Sequence, residues 1–513
     1  MEQFIAKYQD LMQGTLCGFD RVVFRGMLRK LMFAGGMEEY LWKNGVLFKD
    51  YQNFAKRISE RIKKASLAAF QRRKLPVVFV RSAREDKERI ARQIAGERKI
   101  RSGPVCALSC LEPSPTFEHY GRQMVARVRP CLVLYHYYID PKWGWTNARI
   151  QTWFPWHIQV CINGREWLAC QMDREKLRYV RVDNCFAWVQ DYERAQALLD
   201  QQRQTAWVER LERIAQQLNP LREELLQKYP SDYYWTCYQS EYALDVIFQP
   251  GQLQRLEPLF LQHGLLSFSS ADVLRFLGHA VPPSGKIPAR LQRRVSSDWK
   301  RRQEGARIKH RVGGNSLKAY GKAQTPAGDV FRVETTINQV DPFRVYRPEE
   351  GWKPMRKGIA DLERRAEVSE KACQRYLDAF SHLDDSTLLE ELLAPLDQPQ
   401  LWKGRRVRPL HPFQAQDYRL LKSIHRGEFL LNGFRNRDLQ TLLYDTPAQS
   451  KAESRRRSAA ISRQLRILRA HKLIHKISHT HRYQITSAGH RIILAVLTAQ
   501  RVTLKQLNLV LAA

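Results

Sequence analysis

The stretch from Arg455 to Gly489 constrains the fold more than any other part of the chain. It opens on Arg455-Arg456-Arg457 and runs on through Ile461-Ser462-Arg463-Gln464-Leu465-Arg466-Ile467-Leu468-Arg469. Ile461, Leu465 and Leu468 recur at helical spacing, whereas Arg463, Arg466 and Arg469 populate the other side. Such a helix buries one face and leaves a row of guanidinium groups on the opposite one. Leu473-Ile474 then begins a strand, and Arg482-Tyr483-Gln484-Ile485-Thr486 alternates as its return. Between them lies a short polar tip, Ser478-His479-Thr480-His481, and Gly489 follows the second strand.

This ending resembles the recognition helix and wing of MarR- and ArsR-type regulators, which close on a Leu-Ile, a short spacer, and Arg-Tyr-x-Ile/Leu-Thr-x-x-Gly. The resemblance covers roughly the last fifth of the chain. It implies a winged helix-turn-helix whose second helix enters the major groove of duplex DNA. Asn432-Gly433-Phe434-Arg435-Asn436-Arg437-Asp438-Leu439 supports it as the entry into an earlier helix, with Asn436 as the candidate N-cap. On this resemblance the contacts fall to Arg455, Arg456, Arg457, Arg463, Arg466, Arg469, Lys476, His481 and Arg482.

Charge agrees with that partner. Of 513 residues, 85 are Lys or Arg and 52 are Asp or Glu, a formal net charge of +33. Residues 401–513 alone hold 22 basic against 5 acidic side chains, an excess of 17. Phosphate neutralisation needs such a local concentration, because each contact releases condensed counterions. No apolar run is long enough to span a bilayer and no leader is visible, so nucleic acid is a better partner than membrane. The nine cysteines contain no C-x-x-C pair and read as reduced thiols of a cytoplasmic protein. Cys106 and Cys110 flank what reads as buried strand.

The expected fold class is α/β in the α+β sense and multidomain: a mixed or antiparallel sheet body with helical insertions, plus the C-terminal winged helix. Residues 1–130 form an N-terminal helical and α/β region, with 1–75 largely helical and a basic amphipathic helix from Phe54 to Phe70. Pro76–Val80, a helix over Asp86–Gly96 and Val105–Leu108 suggest a βαβ unit. Residues 131–350 form a sheet-containing body with a helical insertion at 191–300. There, Asn163-Gly164 predicts a hairpin joining His157–Cys161 to Arg165–Cys170. Residues 351–400 are a helical connector. Lys403-Gly404-Arg405-Arg406 reads as a linker into 401–513, whose first helices fall at Asp417–His425 and Asn436–Leu443.

Three constellations outside the winged helix could carry chemistry. Lys318-Ala319-Tyr320-Gly321-Lys322, followed by Arg332-Val333-Glu334, would put a nucleophile, phosphate clamps and a metal carboxylate on one sheet face. It resembles the Tyr-Asp-Lys … Arg-x-Glu segment of phage and plasmid rolling-circle replication initiators over some 25 residues, with Gly321 in place of Asp. The resemblance implies tyrosine nicking with Mg²⁺ or Mn²⁺ held by Glu334, phosphate clamping by Lys318 and Arg332, and Tyr320 (or Tyr376) as nucleophile. A structural hairpin with cross-strand ion pairs is the plainer alternative. His479-x-His481 lacks the bulky apolar middle residue of metal-holding His pairs and reads as wing contact with phosphate or minor groove. Asp20, Asp140, Asp183, Asp245 and Glu334 sit where strand ends could bring together a two-metal site, though acids at strand ends are ordinary. The aromatic-basic run Trp143–Trp167 fills a core for the most part, leaving Arg149 and Arg165 as candidate contacts to single strands.

The chain therefore reads as a DNA-binding protein of a mobile element or replicon, a replication initiator or a transposase-like enzyme with a metal-dependent body. Alternatives are a non-enzymatic winged-helix transcriptional regulator and an RNA- or single-strand-binding protein. Double-stranded DNA is the expected partner, single-stranded nucleic acid the second, and no oligomeric state is indicated.

Overall fold

The computed structural model describes residues 1–500 except 122, 267, 283–286, 303–304, 384–387, 426–428, 430–432, 445 and 478–479. It is a mixed α/β structure dominated by mostly antiparallel sheet, and it divides into two compact units, each assembled from separate stretches of chain. The body comprises Gln13–Ile247 and Glu334–Lys371; the terminal unit comprises Met1–Met12, Phe248–Val333 and Ala372–Ala513.

In chain order the body holds strands β1 (Met12–Leu28), β2 (Val77–Val80), β3 (Gly103–Tyr120), β4 (Gln123–Asp140), β5 (Gly144–Gln151) and β6 (Ile158–Asn163). After these come β7 (Tyr179–Val182), β8 (Cys185–Val189) and β9 (Tyr233–Phe248). The main sheet runs β9-β1-β6-β5-β4-β3-β2, with β7 and β8 paired separately. The expected βαβ unit is present. β2 and β3 pair in parallel from Val77↔Ala107, joined by the helix Lys87–Glu97, whose first turn Asp86 caps by accepting the Arg89 N–H at 3.1 Å. The basic amphipathic helix is Tyr51–Arg72, and it buries Tyr51, Ala55, Ile58, Ile62, Leu67 and Phe70.

One expectation fails here and two strand elements were not foreseen, for identifiable reasons. Helices Glu2–Tyr8, Ala34–Lys43 and Tyr51–Arg72 make residues 1–75 largely helical as expected, but β1 at Met12–Leu28, which was not expected, interrupts them. Leu16–Phe19 and Val22–Phe24 are buried along it, so both faces are covered and no simple alternation marks the strand. Asn163-Gly164 is no hairpin turn: Gly164–Glu175 is a helix, and the Asn163 Oδ1 accepts the N–H groups of Arg165 and Glu166, each at 2.9 Å. Asparagine serves turn and cap alike. Glycine is required next to it because a Cβ would lie 1.8 Å from the Phe19 carbonyl oxygen. Finally, β3 and β4 form a long hairpin through residues 111–130, which Pro113, Pro115 and Pro130 argue against in sequence.

The terminal unit begins with the helix Glu2–Tyr8 and resumes with helices Gln252–Leu266 and Ser270–Phe276. Strands β10 (Val295–Arg302), β11 (Gly305–Val312), β12 (Asn315–Thr325) and β13 (Gly328–Ile337) follow in that spatial order, and β13 carries the chain back into the body. The body then adds the hairpin β14 (Arg344–Arg347) and β15 (Gly351–Pro354). The helix Leu362–Ala379 returns the chain to the terminal unit.

Lys403-Gly404 is not a linker. Both residues have positive φ, 51° and 74°, and turn the hairpin β16 (Gln400–Trp402) into β17 (Arg405–Val407). Helices Ala415–Ile424, Asn436–Leu443 and Lys451–Ala470 come next, then β18 (Ile474–Lys476), β19 (Tyr483–Ile485) and the helix Ser487–Ala499. Their shared core includes Leu420, Phe434, Leu439, Leu465, Leu473 and Ile493. Among the described residues no helix is long and apolar enough to cross a membrane. All nine cysteines are free.

Candidate nucleic-acid interface

The helix Lys451–Ala470 is the centre of the candidate interface. Ser450 caps it, accepting the Glu453 N–H at 3.1 Å. Ile461, Leu465 and Leu468 are buried as their spacing requires, and that fixes the roll of the helix. Arg455, Arg456, Arg463 and Arg466 are consequently exposed. Side-chain bonds hold this helix against its predecessor. The Asn436 amide donates to the Ser458 carbonyl at 2.8 Å and to the Ser462 hydroxyl at 2.9 Å. Asn436 is therefore a brace between helices and not the N-cap expected of it. Capping is done by Asp438, whose carboxylate accepts the Arg435 N–H at 2.7 Å.

Three of the expected contact arginines have work inside the fold. Arg457 donates to Glu453 and to the Thr446 carbonyl, both at 2.5 Å, and lies 4.5 Å over the Tyr444 ring. Arg469 stacks 4.8 Å over Trp402. Arg482 donates to the Gly433 carbonyl at 3.1 Å. Tyr444 and Trp402 were missed in the sequence. An aromatic residue far along the chain from its arginine leaves no periodic mark.

The hairpin after the helix is short and closely braced. Ile474↔Ile485, His475↔Gln484 and Lys476↔Tyr483 pair antiparallel, and Phe434 bridges to Tyr483 from the other side. Lys476 and His481 are exposed at its outer end. Of the expected histidine pair, His479 lies outside the described residues. The Thr-x-x-Gly signature has a physical basis here. The Thr486 hydroxyl donates to the Lys472 carbonyl at 2.7 Å and accepts the Gly489 N–H at 2.9 Å. A Cβ at Gly489 would lie 2.1 Å from the Leu473 carbonyl oxygen, and one at Gly433 2.4 Å from that of Tyr483. The helix Ser487–Ala499 can approach the hairpin this closely only through glycine.

The other candidates lie indoors. Lys318 on β12 is 8% exposed, Tyr320 6%, Arg332 on β13 0% and Glu334 4%. Lys318 pairs across from Lys309, which burial first, and then the Lys318 charge, pushes below the ordinary lysine range. Tyr320 faces Arg307, whose guanidinium is 5.9 Å from its ring. Tyr376 is fully buried and bonded to the His310 Nε2 at 2.8 Å; His310 in turn meets the Ser297 hydroxyl. Burial holds His310 near about 4 and raises Tyr376 well above its ordinary value.

Three of the scattered acids have partners of their own. Asp20 accepts both oxygens' bonds from the Asn184 amide at 2.9 Å, Asp140 pairs with Arg210 at 2.8 Å, and Asp245 with Arg165 at 3.0 Å. Among the described residues no three His, Cys, Asp or Glu side chains group so as to hold a metal ion. Arg165 and Asp245 are both 0% exposed, which makes Arg165 a core ion pair and removes it from any surface. Trp143, Trp145, Phe154, Trp156 and Trp167 are likewise core. Arg149 stays half-buried. Its guanidinium is held by Glu112 at 2.8 Å, the Tyr135 hydroxyl at 2.9 Å and the Gln159 amide oxygen.

Against known proteins, no family matches the chain, and neither a curated protein nor a solved structure does.

Proposed function

We propose that the chain is a DNA-binding protein in which residues 401–513 act as a winged helix that reads duplex DNA. One observation carries this reading: the capped helix Lys451–Ala470 leaves Arg455, Arg456, Arg463 and Arg466 exposed on the side opposite its buried apolar face. Lys476 and His481 extend the same basic character into the hairpin that follows. In such a module the helix lies in the major groove, where arginine pairs bidentately with guanine, while the hairpin touches backbone or minor groove. The helix order, the Phe434–Tyr483 bridge and the Thr486–Gly489 brace are all consistent with it.

Among the wider alternatives, burial of Lys318, Tyr320, Arg332 and Glu334 favours a binder over a nicking enzyme. A reactive tyrosine and phosphate clamps must meet substrate, and these four side chains have almost no surface to offer. Whether the protein serves a replicon, a mobile element or a promoter is a narrower matter of which DNA it reads. The test is fluorescence anisotropy of the full chain on a random labelled duplex and on the corresponding single strands. Tighter binding to duplex that weakens steeply with salt is expected. Equal or stronger binding to single strands would move the function to the body's sheet.

A further inference from the structure

One face of the body's sheet carries a polar concavity of about 150 Å³, to which β1, β3, β5 and β6 contribute. Arg25 on β1, Arg149 on β5 and His157 just before β6 converge on it, with Glu112, Ser114 and Gln159 on the walls. The register explains the convergence. Arg25 and Arg149 are the cross-strand neighbours of the same residue, Gln159, one from each side. Two arginines on alternate strands therefore point from one face toward one another.

We propose that this concavity is an oxyanion site that takes a phosphoryl group. The inference is independent of the C-terminal reading, since every residue in it belongs to the body. Its basis is unbalanced charge. The one carboxylate on the walls, Glu112, is already engaged by Lys87 at 3.1 Å, by Arg149 at 2.8 Å and by the Tyr135 hydroxyl at 2.6 Å. Arg25 lies 3.8 Å over the Tyr238 ring, a weak partner for a half-buried guanidinium. Burial outweighs that phenol, the next largest influence, and with a smaller push from the Arg149 charge lowers Arg25 from its ordinary value. His157 is pushed down to about 4, by burial first and then by Arg25 and Arg149. No acid offsets these effects on either group. Two guanidinium groups beside a neutral imidazole, against one carboxylate that is already shared with Lys87, in a space partly shielded from water, make a site that gains by admitting a multivalent anion. Guanidinium forks match phosphoryl and carboxylate oxygens alike, so the preference between them comes from charge: a doubly charged phosphoryl group gains more from the two arginines than a monovalent anion does.

Isothermal titration of the full chain with inorganic phosphate, with acetate, and with a short oligonucleotide bearing or lacking a 5′-phosphate tests this. Phosphate is expected to bind and acetate not to. Arg25→Gln should weaken phosphate binding about tenfold or more, the scale of one lost charge-assisted contact. Arg127→Gln, which removes an exposed charge outside the concavity, should leave it unchanged. Preference for the phosphorylated oligonucleotide would identify a strand end as the source, and equal affinity for inorganic phosphate the free ion; either supports the site. A second readout needs no variant. The His157 imidazole, followed by NMR, should titrate upward by more than a unit when phosphate is bound, because the anion cancels the field of Arg25 and Arg149. Absence of phosphate heat together with an unmoved His157 overturns the proposal, as does equal binding of acetate or undiminished binding by a folded Arg25→Gln.

Discussion

Two arginine-bearing regions of the terminal unit, the helix Lys451–Ala470 and the strand pair β12–β13, look alike in sequence and differ in the fold. Both carry basic residues at regular spacing beside apolar ones. On the helix, Arg463 and Arg466 end up exposed; on β13, Arg332 has no exposed surface at all. Periodicity tells which residues share a face, and nothing more. A helix at the edge of a small core has one covered face, so its polar side is left to solvent. A strand within a sheet that is covered on both sides has none to leave, and every residue of β13 is buried. Exposed arginine at a groove-sized helix is available to phosphate, whereas buried arginine belongs to the core.

That contrast can be broken most forcefully where arginine is deepest. Arg165→Ala strands Asp245 in a site with no exposure on either partner, so unfolding free energy should fall by about 3–5 kcal/mol. Arg332→Ala removes a fully buried guanidinium and should also destabilise the fold, and denaturant melts of both variants check it. If either variant kept wild-type stability, the distinction between core and interface arginines would be lost. Next in size, Leu465→Ala removes the middle of the helix's buried stripe and should cost on the order of 3 kcal/mol. Loss of DNA binding by this variant would follow from the helix losing its seat. Gly489→Ala is expected to cost about 1–3 kcal/mol through the clash with the Leu473 carbonyl. A calorimetric scan in which this variant melts like wild type would contradict the close approach.

A smaller effect distinguishes acid from neutral conditions. His425 and His490, with rings 5.8 Å apart, are held at about 4 and about 3, chiefly by burial. Both lie below the ordinary 6.5, so the unfolded chain takes up protons first as pH falls. Their contribution is complete above about pH 6.5 and is lost as pH drops through the folded values. His136, His157 and His310 are depressed in the same direction and add to it. His490→Phe should flatten the pH dependence of stability between pH 4 and 6.5; an unchanged slope would mean that His490 is not buried neutral.

Much of the C-terminal segment was legible because several local signals agree there. Apolar spacing, a polar tip, the Arg-Tyr-x-Ile-Thr return and Gly489 lead to the same arrangement, and helices expected at Asp417–His425 and Asn436–Leu443 lie at Ala415–Ile424 and Asn436–Leu443. The βαβ unit was readable for the same reason. β1 was not, since a strand buried on both faces lacks alternation, and β3–β4 was hidden behind three prolines. Asn163-Gly164 misled because one dipeptide suits both a turn and a helix start, and only the Phe19 carbonyl decides between them. At the concavity, Arg25, Arg149 and His157 lie far apart in the chain and meet only through the β1–β6–β5 register, which no local pattern encodes.

The most direct test of the account is the double variant Arg463→Gln/Arg466→Gln in the full chain, with stability and duplex affinity measured side by side across a salt series. Exposed side chains should change stability by no more than about 0.5 kcal/mol. The slope of log affinity against log salt should become shallower by roughly 1 for each phosphate contact removed, and affinity at low salt should drop. Unaltered stability with weakened, less salt-sensitive binding is the predicted result. Unaltered binding, or a loss of binding that tracks a loss of stability, would contradict the claim that this helix is the DNA-reading surface.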